Sequence, residues 1–146
     1  MKRSLPRILI GAAQSGAGKT TLTLGLVAAL KRRGLNVQTF KVGPDYLDPT
    51  WLSAASGRPC YNLDGWMSGR TYVERLFERV TQDADLAVIE GVIGLFDSAR
   101  PGDLEGSSAE IASLLQSPVL LVVNAHGMAG SIAPMVAVFA GFVPTM

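Results

Sequence analysis

Short apolar runs alternate along the chain with longer amphipathic segments, a pattern that predicts β-strands alternating with helices. The apolar runs are nearly continuous, as expected for strands that are buried on both faces of a sheet. Strands are predicted at Arg7–Ala13, Val37–Val42, Leu86–Val92 and Val119–Val123. Alternation of this kind is typical of a parallel sheet with helices on both faces. The pattern therefore predicts an α/β fold of three layers around a mostly parallel central sheet.

The first predicted helix follows a glycine-rich turn and extends over Lys19–Arg33. Leu22, Leu26 and Leu30 recur every four residues along this helix. Residues at this spacing share one side of a helix, so we expect the three leucines to form its buried face.

Two later helices begin with the spacing of a capping box, in which the side chains of two residues satisfy each other's backbone N–H groups. The pairs are Thr71 with Glu74 and Ser107 with Glu110. Between the second strand and these helices, the stretch 43–69 contains three prolines and only a short predicted helix, around residues 51–55. Irregular segments of this length inside a domain are commonly functional.

The last predicted helix, over residues 131–142, is apolar on much of its surface. Its large apolar side chains are Met135, Val136, Val138, Phe139 and Phe142. Because the chain stops before another strand, we expect the domain to be incomplete at its C-terminus and this helix face to be uncovered. The 146-residue chain is therefore predicted to aggregate or to need a partner.

Composition and charge narrow the class of protein. A length of 146 residues with 48% hydrophobic residues leaves room for one domain with a real core. The net charge is only +1, and the basic triplet at 31–33 complements the end of a helix, so nucleic-acid binding is not predicted. No apolar stretch reaches the length of a membrane span, so no membrane role is predicted. The single cysteine, Cys60, suits a reducing cytoplasm.

The strongest chemical signal is a phosphate-loop pattern between the first strand and the first helix. Gly16 and Gly18 allow backbone N–H groups to turn toward phosphate oxygens. Lys19 supplies a cation for the β- and γ-phosphates of ATP, and the Thr20 hydroxyl is placed to ligate Mg²⁺. The pattern departs from the full motif only at Ala13, where glycine is usual. The predicted ATP-binding residues are Gln14, Ser15, Gly16, Ala17, Gly18, Lys19, Thr20 and Thr21.

A second signal is the carboxylate at the end of the third strand, Glu90, followed by Gly91. A carboxylate opposite a phosphate loop can reach Mg²⁺, and the glycine lets the backbone approach the γ-phosphate. Alone, Glu90 would be interpreted as a solvated charge at a strand end, but the phosphate loop favours the metal role. Asp97 is a weaker candidate for the same metal.

A third group of residues follows the second strand, at the edge where ligands bind in open parallel sheets. Lys41 is a candidate to neutralise a carboxylate substrate, and Asp45 and Asp48 are candidates to bind a second Mg²⁺. The alternative interpretation is a turn rich in proline and aspartate, with solvated charges.

Five segments together resemble the N-terminal domain of the cobyrinic acid a,c-diamide synthase family, a P-loop NTPase-type fold. They are the phosphate loop, KVGPDYLDP, RPCYNLDGWM, VIEGVIGLFD and VVNAHGMAGS, in that order. The relatives include hydrogenobyrinic acid a,c-diamide synthase, the related nickel-sirohydrochlorin a,c-diamide synthase and, more distantly, dethiobiotin synthetase. The resemblance departs from the family pattern at Asn124, where Asp is typical, and at Gly130, where a larger polar residue is common.

The resemblance implies a glutamine-hydrolysing ligase of cobalamin biosynthesis. ATP phosphorylates a corrinoid carboxylate, and ammonia released from glutamine in a separate C-terminal domain attacks the acyl phosphate. In this family the acidic metal-binding and catalytic set corresponds to Asp45, Asp48, Glu90 and Asp97, with Lys41 near the substrate carboxylate. The segments that face the tetrapyrrole contain Tyr46, Leu47, Asn62 and Asp64.

Two classes of alternative function stay open at this point. One is another carboxylate-activating ligase, of the nickel-sirohydrochlorin or dethiobiotin type. The other is a nucleotide-switch ATPase of the partitioning type, which binds proteins and forms no small-molecule product. Partitioning ATPases carry a lysine near the start of the phosphate loop, and Gln14 and Ser15 occupy that stretch here, which disfavours them.

Several conspicuous residues are predicted to have no chemical role. Cys60 has no histidine near it in sequence and is predicted to pack rather than to act as a nucleophile. His126 is the only histidine and is predicted to lie in a loop. Trp51, Trp66 and Tyr72 are predicted to pack in the core rather than to line a substrate surface.

Overall fold

The computed structural model describes residues 5–100 and 102–142 of the chain. In these residues strands and helices alternate, as the apolar pattern predicts. The elements are β1 (Arg7–Ala12), α1 (Lys19–Arg32), β2 (Val37–Val42), α2 (Asp48–Ser56), β3 (Tyr61–Leu63), α3 (Gly65–Ser68), α4 (Arg70–Val80), β4 (Leu86–Glu90), α5 (Ser108–Leu114), β5 (Val119–Val122) and α6 (Ile132–Gly141).

The strands form one sheet in the order β3-β2-β4-β1-β5, and every neighbouring pair in the described part of the chain is parallel. Lys41 of β2 pairs with Glu90 of β4, and Glu90 pairs with Ile10 of β1. Because parallel strands end at the same edge, this register brings Lys41 and Glu90 side by side near the phosphate loop, which follows β1. The predicted α/β fold is confirmed.

Side-chain alternation along the strands gives the sheet two apolar faces. Leu9 and Ile89 belong to one buried cluster, to which α4 and α5 contribute their apolar side chains. Ile10 and Val88 belong to the other cluster, which includes Val27 of α1. Ala55 of α2 packs against this second cluster. Helices therefore cover both faces of the sheet, which is the predicted three-layer arrangement.

The buried line of α1 differs from the predicted one. Lys19, Thr23 and Val27 are buried at a spacing of four residues, whereas Leu22 is 41% exposed. Leu22 lies about 100° around the helix from Thr23 and about 60° from Lys19. Leu26, on the same stripe as Leu22, packs against the second cluster only in part. Leu30 also packs against the second cluster, so the leucine periodicity identified the helix and part of its packed side but was wrong for Leu22.

The stretch 43–69 is more regular than predicted, because it contains β3 and α3 in addition to α2. β3 has only three residues, so it is too short to show a periodicity, and it is fixed by pairing with β2. The predicted capping box at Thr71 is wrong: Gly69 caps α4, and Thr71 is already the second residue inside the helix. Ser107 does cap α5, by accepting a hydrogen bond from the Glu110 backbone N–H.

In the described part of the chain, no residue of β5 or of α6 is buried. Val138 and Phe142 are 66% and 52% exposed, whereas Phe139 stacks on Phe96 with 5.5 Å between ring centroids. The expectation that this face needs a cover and that the domain is incomplete stays a prediction. None of the helices in the described ranges combines the length and apolarity needed to cross a membrane.

Candidate functional site

The turn between β1 and α1 has the backbone of a phosphate-binding loop. Gly16 and Gly18 have φ values of 74° and 100°, a left-handed conformation that favours glycine. Gly18 caps α1 without a side chain, so no side-chain oxygen occupies the N–H groups of the first turn. These groups and the helix dipole make the start of this 14-residue helix suitable for an anion.

A buried ion cluster lies beside this loop and is centred on Lys41. Its ammonium donates hydrogen bonds to Asp48 Oδ2 at 2.6 Å, to Glu90 Oε1 at 2.9 Å and to the Gly91 carbonyl at 3.2 Å. Asp45 Oδ2 lies farther away, at 3.9 Å. Burial of a lysine charge is unfavourable unless opposite charges compensate it, and here two carboxylates in direct contact do so.

Glu90 has one oxygen engaged and one without a partner. Oε1 accepts hydrogen bonds from the Thr20 hydroxyl at 2.7 Å and from Lys41. Oε2 is buried and has no hydrogen-bond partner among the described residues. A buried carboxylate oxygen left unpaired is costly, so this atom points to a bound ligand. Carboxylate and hydroxyl oxygens are the donors that Mg²⁺ prefers, so Glu90 and Thr20 fit a magnesium ion.

The charges in this cluster shift the pKa values of three groups. Burial lowers the pKa of Lys41, but its hydrogen bonds to Asp48 and Glu90 outweigh this effect and raise the pKa above its usual value. Burial raises the pKa of Asp48, but the hydrogen bond and the charge of Lys41, together with hydrogen bonds to Asp45 and Glu90, outweigh burial and lower the pKa. The pKa of Lys19 is lowered by burial and by the nearby charge of Lys41.

A cavity of about 350 Å³ opens between the phosphate loop and the ion cluster. Ten of the predicted site residues line it: Ser15, Gly16, Gly18, Lys19, Thr20, Thr21, Lys41, Asp45, Asp48 and Glu90. Residues from three distant parts of the sequence therefore meet in one place. Their individual roles stay predictions.

Other predicted residues do not line this cavity, although they lie near it in the fold. Gln14 and Ala17 belong to the phosphate loop. Asp97 Oδ2 accepts a hydrogen bond from the Gly94 backbone N–H at 2.8 Å, so the contact that Asp97 makes is to the loop that follows β4.

The residues predicted to face the substrate divide into two kinds. Tyr46 and Leu47 are 88% and 63% exposed, directly after β2. Asn62 uses its amide group to donate hydrogen bonds to the carbonyls of Gly43 and Asp45, both at 2.7 Å, and so shapes the turn after β2. Asp64 caps α3 by accepting a hydrogen bond from a backbone N–H.

The prediction that three aromatic residues pack in the core is wrong. Trp51, Trp66 and Tyr72 are 55%, 58% and 51% exposed. Trp51 lies on α2, whose buried side is formed by Pro49, Leu52 and Ser56, and Trp66 lies on α3, whose buried residue is Gly65. An aromatic side chain alone does not indicate which side of a short helix faces the sheet.

Sequence reasoning missed two residues of the cavity wall, Val92 and Ile93. The Ile93 carbonyl accepts a hydrogen bond from the Lys19 ammonium at 2.7 Å. Ile93 has φ 38°, a conformation that is rare for a β-branched residue. Only the flanking Gly91 and Gly94 offered a signal, because glycines on both sides of a short segment indicate an unusual backbone path.

The surroundings of the single cysteine, Cys60, disfavour ionisation of its thiol. Cys60 is partly covered, and burial raises the pKa of its thiol to about 12. The prediction that it packs rather than reacts agrees with this shift. His126 lies in the exposed loop after β5, where its backbone N–H donates to the Asn124 side chain at 2.9 Å. Gly130 follows in the same exposed loop.

We expect iodoacetamide to alkylate Cys60 of the folded chain at pH 8 roughly a thousand times more slowly than free cysteine, because about 1 in 10⁴ of its thiols is ionised. Mass spectrometry of timed samples measures the rate. The same chain in urea serves as control and should react at the rate of free cysteine. Rapid labelling of the folded chain would contradict this account of the thiol.

Comparison with known proteins shows that the chain is similar to nucleotide-binding domains. Residues 8–146 match the family described as the CobQ/CobB/MinD/ParA nucleotide binding domain. The cobyrinate a,c-diamide synthase of Syntrophotalea carbinolica is 64% identical over 98% of this chain and 31% of its own length. Those of Leptospira interrogans and Priestia megaterium are 50% and 49% identical over 91% and 94% of this chain.

The chain spans about a third of the length of these relatives, with coverage of 31%, 29% and 30%. The family match covers nearly the whole chain and includes the phosphate loop, Lys41 and Glu90. The chain therefore belongs to the CobQ/CobB/MinD/ParA nucleotide-binding domain family.

Proposed function

We propose that this chain binds Mg·ATP and activates the a and c side-chain carboxylates of cobyrinic or hydrogenobyrinic acid for amidation. The nucleotide part of the proposal is carried by one observation, the unpaired Oε2 of Glu90 beside Thr20 at the phosphate loop. The substrate part is supported by the relatives, which are cobyrinate a,c-diamide synthases at up to 64% identity.

Glu90 and Thr20 would hold the Mg²⁺ ion, and Asp45 and Asp48 lie on the same cavity wall as further acidic candidates. When bound, Mg²⁺ neutralises the charge of the phosphate oxygens during transfer. A set of three or more His, Cys, Asp or Glu side chains that could hold a metal is absent from the described residues. Mg²⁺ commonly takes one or two protein carboxylates and completes its shell with phosphates and water.

The proposed reaction has two steps. A substrate carboxylate oxygen attacks the γ-phosphorus of ATP, the bond to the bridging oxygen breaks, and ADP leaves. Ammonia, released from glutamine by a domain outside this chain, then attacks the acyl carbon, and inorganic phosphate leaves. Because phosphoryl transfer depends mainly on positioning and charge neutralisation, the two cations on the cavity wall, Lys19 and Lys41, suit the first step.

Lys41 is the residue proposed to attract the substrate carboxylate. An ammonium has three N–H donors, and the three contacts of Lys41 are with Asp48, Glu90 and the Gly91 carbonyl. A hydrogen bond to substrate therefore requires Lys41 to exchange one of these partners. Asp48 is the more exposed carboxylate, at 23% of its side chain against 0% for Glu90, so it is the partner that exchanges more easily.

The exposed side chains of Tyr46 and Leu47 are proposed to contact the apolar part of the tetrapyrrole. They follow Asp45, which lines the cavity, and neither is covered by the rest of the described chain. Asn62 supports them indirectly, because it holds the backbone of Gly43 and Asp45. Asp64 is proposed to lie at the same edge, at the start of α3.

The deciding experiment is phosphate release from ATP with and without a tetrapyrrole carboxylate. Cobyrinic acid, hydrogenobyrinic acid and nickel-sirohydrochlorin are added in turn, and a thermal-shift panel with Mg·ATP measures binding of each. Release that depends on cobyrinic or hydrogenobyrinic acid supports the proposal. Phosphate release that depends on nickel-sirohydrochlorin alone supports a ligase of the nickel-sirohydrochlorin a,c-diamide synthase type. Phosphate release that is the same with and without each tetrapyrrole supports a nucleotide-switch ATPase.

Replacing Glu90 by glutamine should preserve the fold and reduce Mg²⁺-dependent phosphoryl transfer by at least about 100-fold. The amide has a similar shape but lacks the charge that holds the metal. Phosphate release is measured across a Mg²⁺ titration, and Glu105→Gln, in the loop before α5, is the control for loss of one carboxylate. Wild-type rates in Glu90→Gln would identify Asp45, Asp48 or Asp97 as the main ligand instead.

A further inference from the structure

The segment 92–94, in the loop after β4, is held at both of its ends by side chains that lie outside the segment. The Ser108 hydroxyl accepts a hydrogen bond from the Val92 backbone N–H at 2.8 Å and donates to the Val92 carbonyl at 3.2 Å. At Gly94, two residues after Val92, the backbone N–H donates a hydrogen bond to Asp97 Oδ2 at 2.8 Å. Ile93 lies between these two fixed points.

Ser108 takes the place of a neighbouring strand at this position. β4 ends at Glu90, and the ladder bond from the Gly91 N–H to the Ile10 carbonyl, at 2.9 Å, is the last that this strand makes with β1. At Val92 the Ser108 hydroxyl satisfies both the donor and the acceptor of the backbone, as a paired strand would. Ser108 is fully buried, so water does not compete for these hydrogen bonds.

The packing around Ser108 leaves little freedom to rearrange. A Cβ atom added to Gly91 would lie 2.7 Å from the Ser108 hydroxyl oxygen and 3.1 Å from the Ile10 carbonyl oxygen. The Gly91 backbone therefore lies directly against Ser108. This close contact fixes the direction in which the chain leaves β4 and enters the cavity wall.

Ile93, between these two restrained positions, has a left-handed conformation. A β-branched residue at φ 38° is strained, and such strain persists only where the surroundings determine it. In this conformation the Ile93 carbonyl meets the Lys19 ammonium at 2.7 Å, in the cavity beside the phosphate loop. Strain that is maintained at a binding site is commonly linked to the function of the site.

We propose that Ser108 is a positioning residue of the nucleotide site, which acts through Val92 and Ile93 on Lys19. This inference rests on the proposed binding of Mg·ATP. Lys19 is the cation for the β- and γ-phosphates, and the segment that Ser108 holds follows the carboxylate that would bind the metal. The position of this segment therefore affects the terminal phosphate more than the rest of the nucleotide, and Ser108 sets the preference for ATP over ADP.

The test compares Ser108→Ala with Ser107→Ala by measuring the Kd values of Mg·ATP and Mg·ADP. Both serines are fully buried at the start of α5, but Ser107 only caps the helix, through the Glu110 N–H. Ser107→Ala should lower Tm by about 3 °C and leave the ratio of the two Kd values unchanged. Ser108→Ala should lower the preference for ATP about fivefold or more relative to wild type, and hydrogen exchange at the Val92 amide should become faster.

Ser108→Cys covers the possibility that the alanine variant does not fold. A thiol has a similar shape and makes weaker hydrogen bonds, so the preference for ATP should fall in the same direction by a smaller factor. An unchanged ratio in the folded Ser108 variants, or an equal change in Ser107→Ala, would overturn the inference and leave the proposed function intact. If the wild-type chain binds neither Mg·ATP nor Mg·ADP, both the inference about Ser108 and the proposed function are wrong.

Discussion

Replacing Lys19 by alanine should reduce the affinity for Mg·ATP by at least about 100-fold and abolish turnover, because the loop loses its cation for the β- and γ-phosphates. Lys19 is buried at the start of α1, and its ammonium already lies in the cavity, where it donates to the Ile93 carbonyl. Lys41, the other lysine of the cavity wall, is engaged by Asp48 and Glu90 and does not substitute for it.

Lys31→Ala is the matched control for this variant. It removes the same charge from the last turn of the same helix, where the side chain is exposed. Isothermal titration with Mg·ATP and a phosphate-release assay are run on both variants, and circular dichroism verifies that each is folded. Wild-type affinity and turnover in Lys19→Ala would show that the glycine-rich turn is not a phosphate site.

The phosphate loop, Lys41 and Glu90 could be predicted from sequence because their signals are local. Each depends on a motif of a few residues at the end of a strand, and the parallel sheet then places the three strand ends at one edge. Lys41 and Glu90 can pair because the strand order places β2 next to β4, and the register between these strands brings the two residues opposite each other. The alternation of apolar runs was sufficient to anticipate this general arrangement.

The roles of Ile93 and Ser108 could not be predicted, because they depend on contacts between distant segments. The hydroxyl of Ser108 meets the backbone of Val92, 16 residues earlier. The flanking Gly91 and Gly94 indicate an unusual backbone path but not a left-handed conformation at Ile93, which isoleucine itself disfavours. The three-residue strand β3 was missed for a similar reason, because its formation depends on pairing with β2 rather than on its own pattern.

Replacing Lys41 by methionine should destabilise the fold by about 3–5 kcal/mol, because the fully buried Glu90 carboxylate is left without its cation. Such a loss is a large part of the roughly 5–15 kcal/mol by which domains are stable. Urea unfolding measures it, with Lys31→Met as the control for replacing an exposed lysine. A change below about 1 kcal/mol would show that the cluster contributes no more than a surface ion pair.

The double variant Lys41→Met/Glu90→Gln separates the missing cation from the lost packing of the side chain. Removing both charges leaves no uncompensated charge at the buried position, so the double variant should be more stable than Lys41→Met alone. If the double variant is less stable by the sum of the two single effects, the two side chains are not coupled. That result would contradict the direct contact of 2.9 Å between them.

The pH dependence of Lys41→Met follows from the pKa shifts of the pair. Burial raises the pKa of Asp48, but the hydrogen bond and the charge of Lys41, with hydrogen bonds to Asp45 and Glu90, together outweigh it, so the pKa in the folded chain lies below its ordinary value of 3.8. The stabilisation from Asp48 is therefore present above pH 3.8 and is lost as pH falls through the lowered pKa. The pKa of Lys41 is raised above 10.5, so its contribution is present below pH 10.5 and is lost only as pH rises through the raised value.

The difference in unfolding free energy between wild type and Lys41→Met should therefore shrink as the pH falls through the lowered pKa of Asp48, toward pH 3. At low pH Asp48 becomes protonated in both proteins, so wild type loses an attraction that the variant never had. Urea unfolding at several pH values measures the difference, and Lys31→Met should show no such acid dependence. A difference that grows as the pH falls would mean that Asp48 is not the partner that Lys41 stabilises.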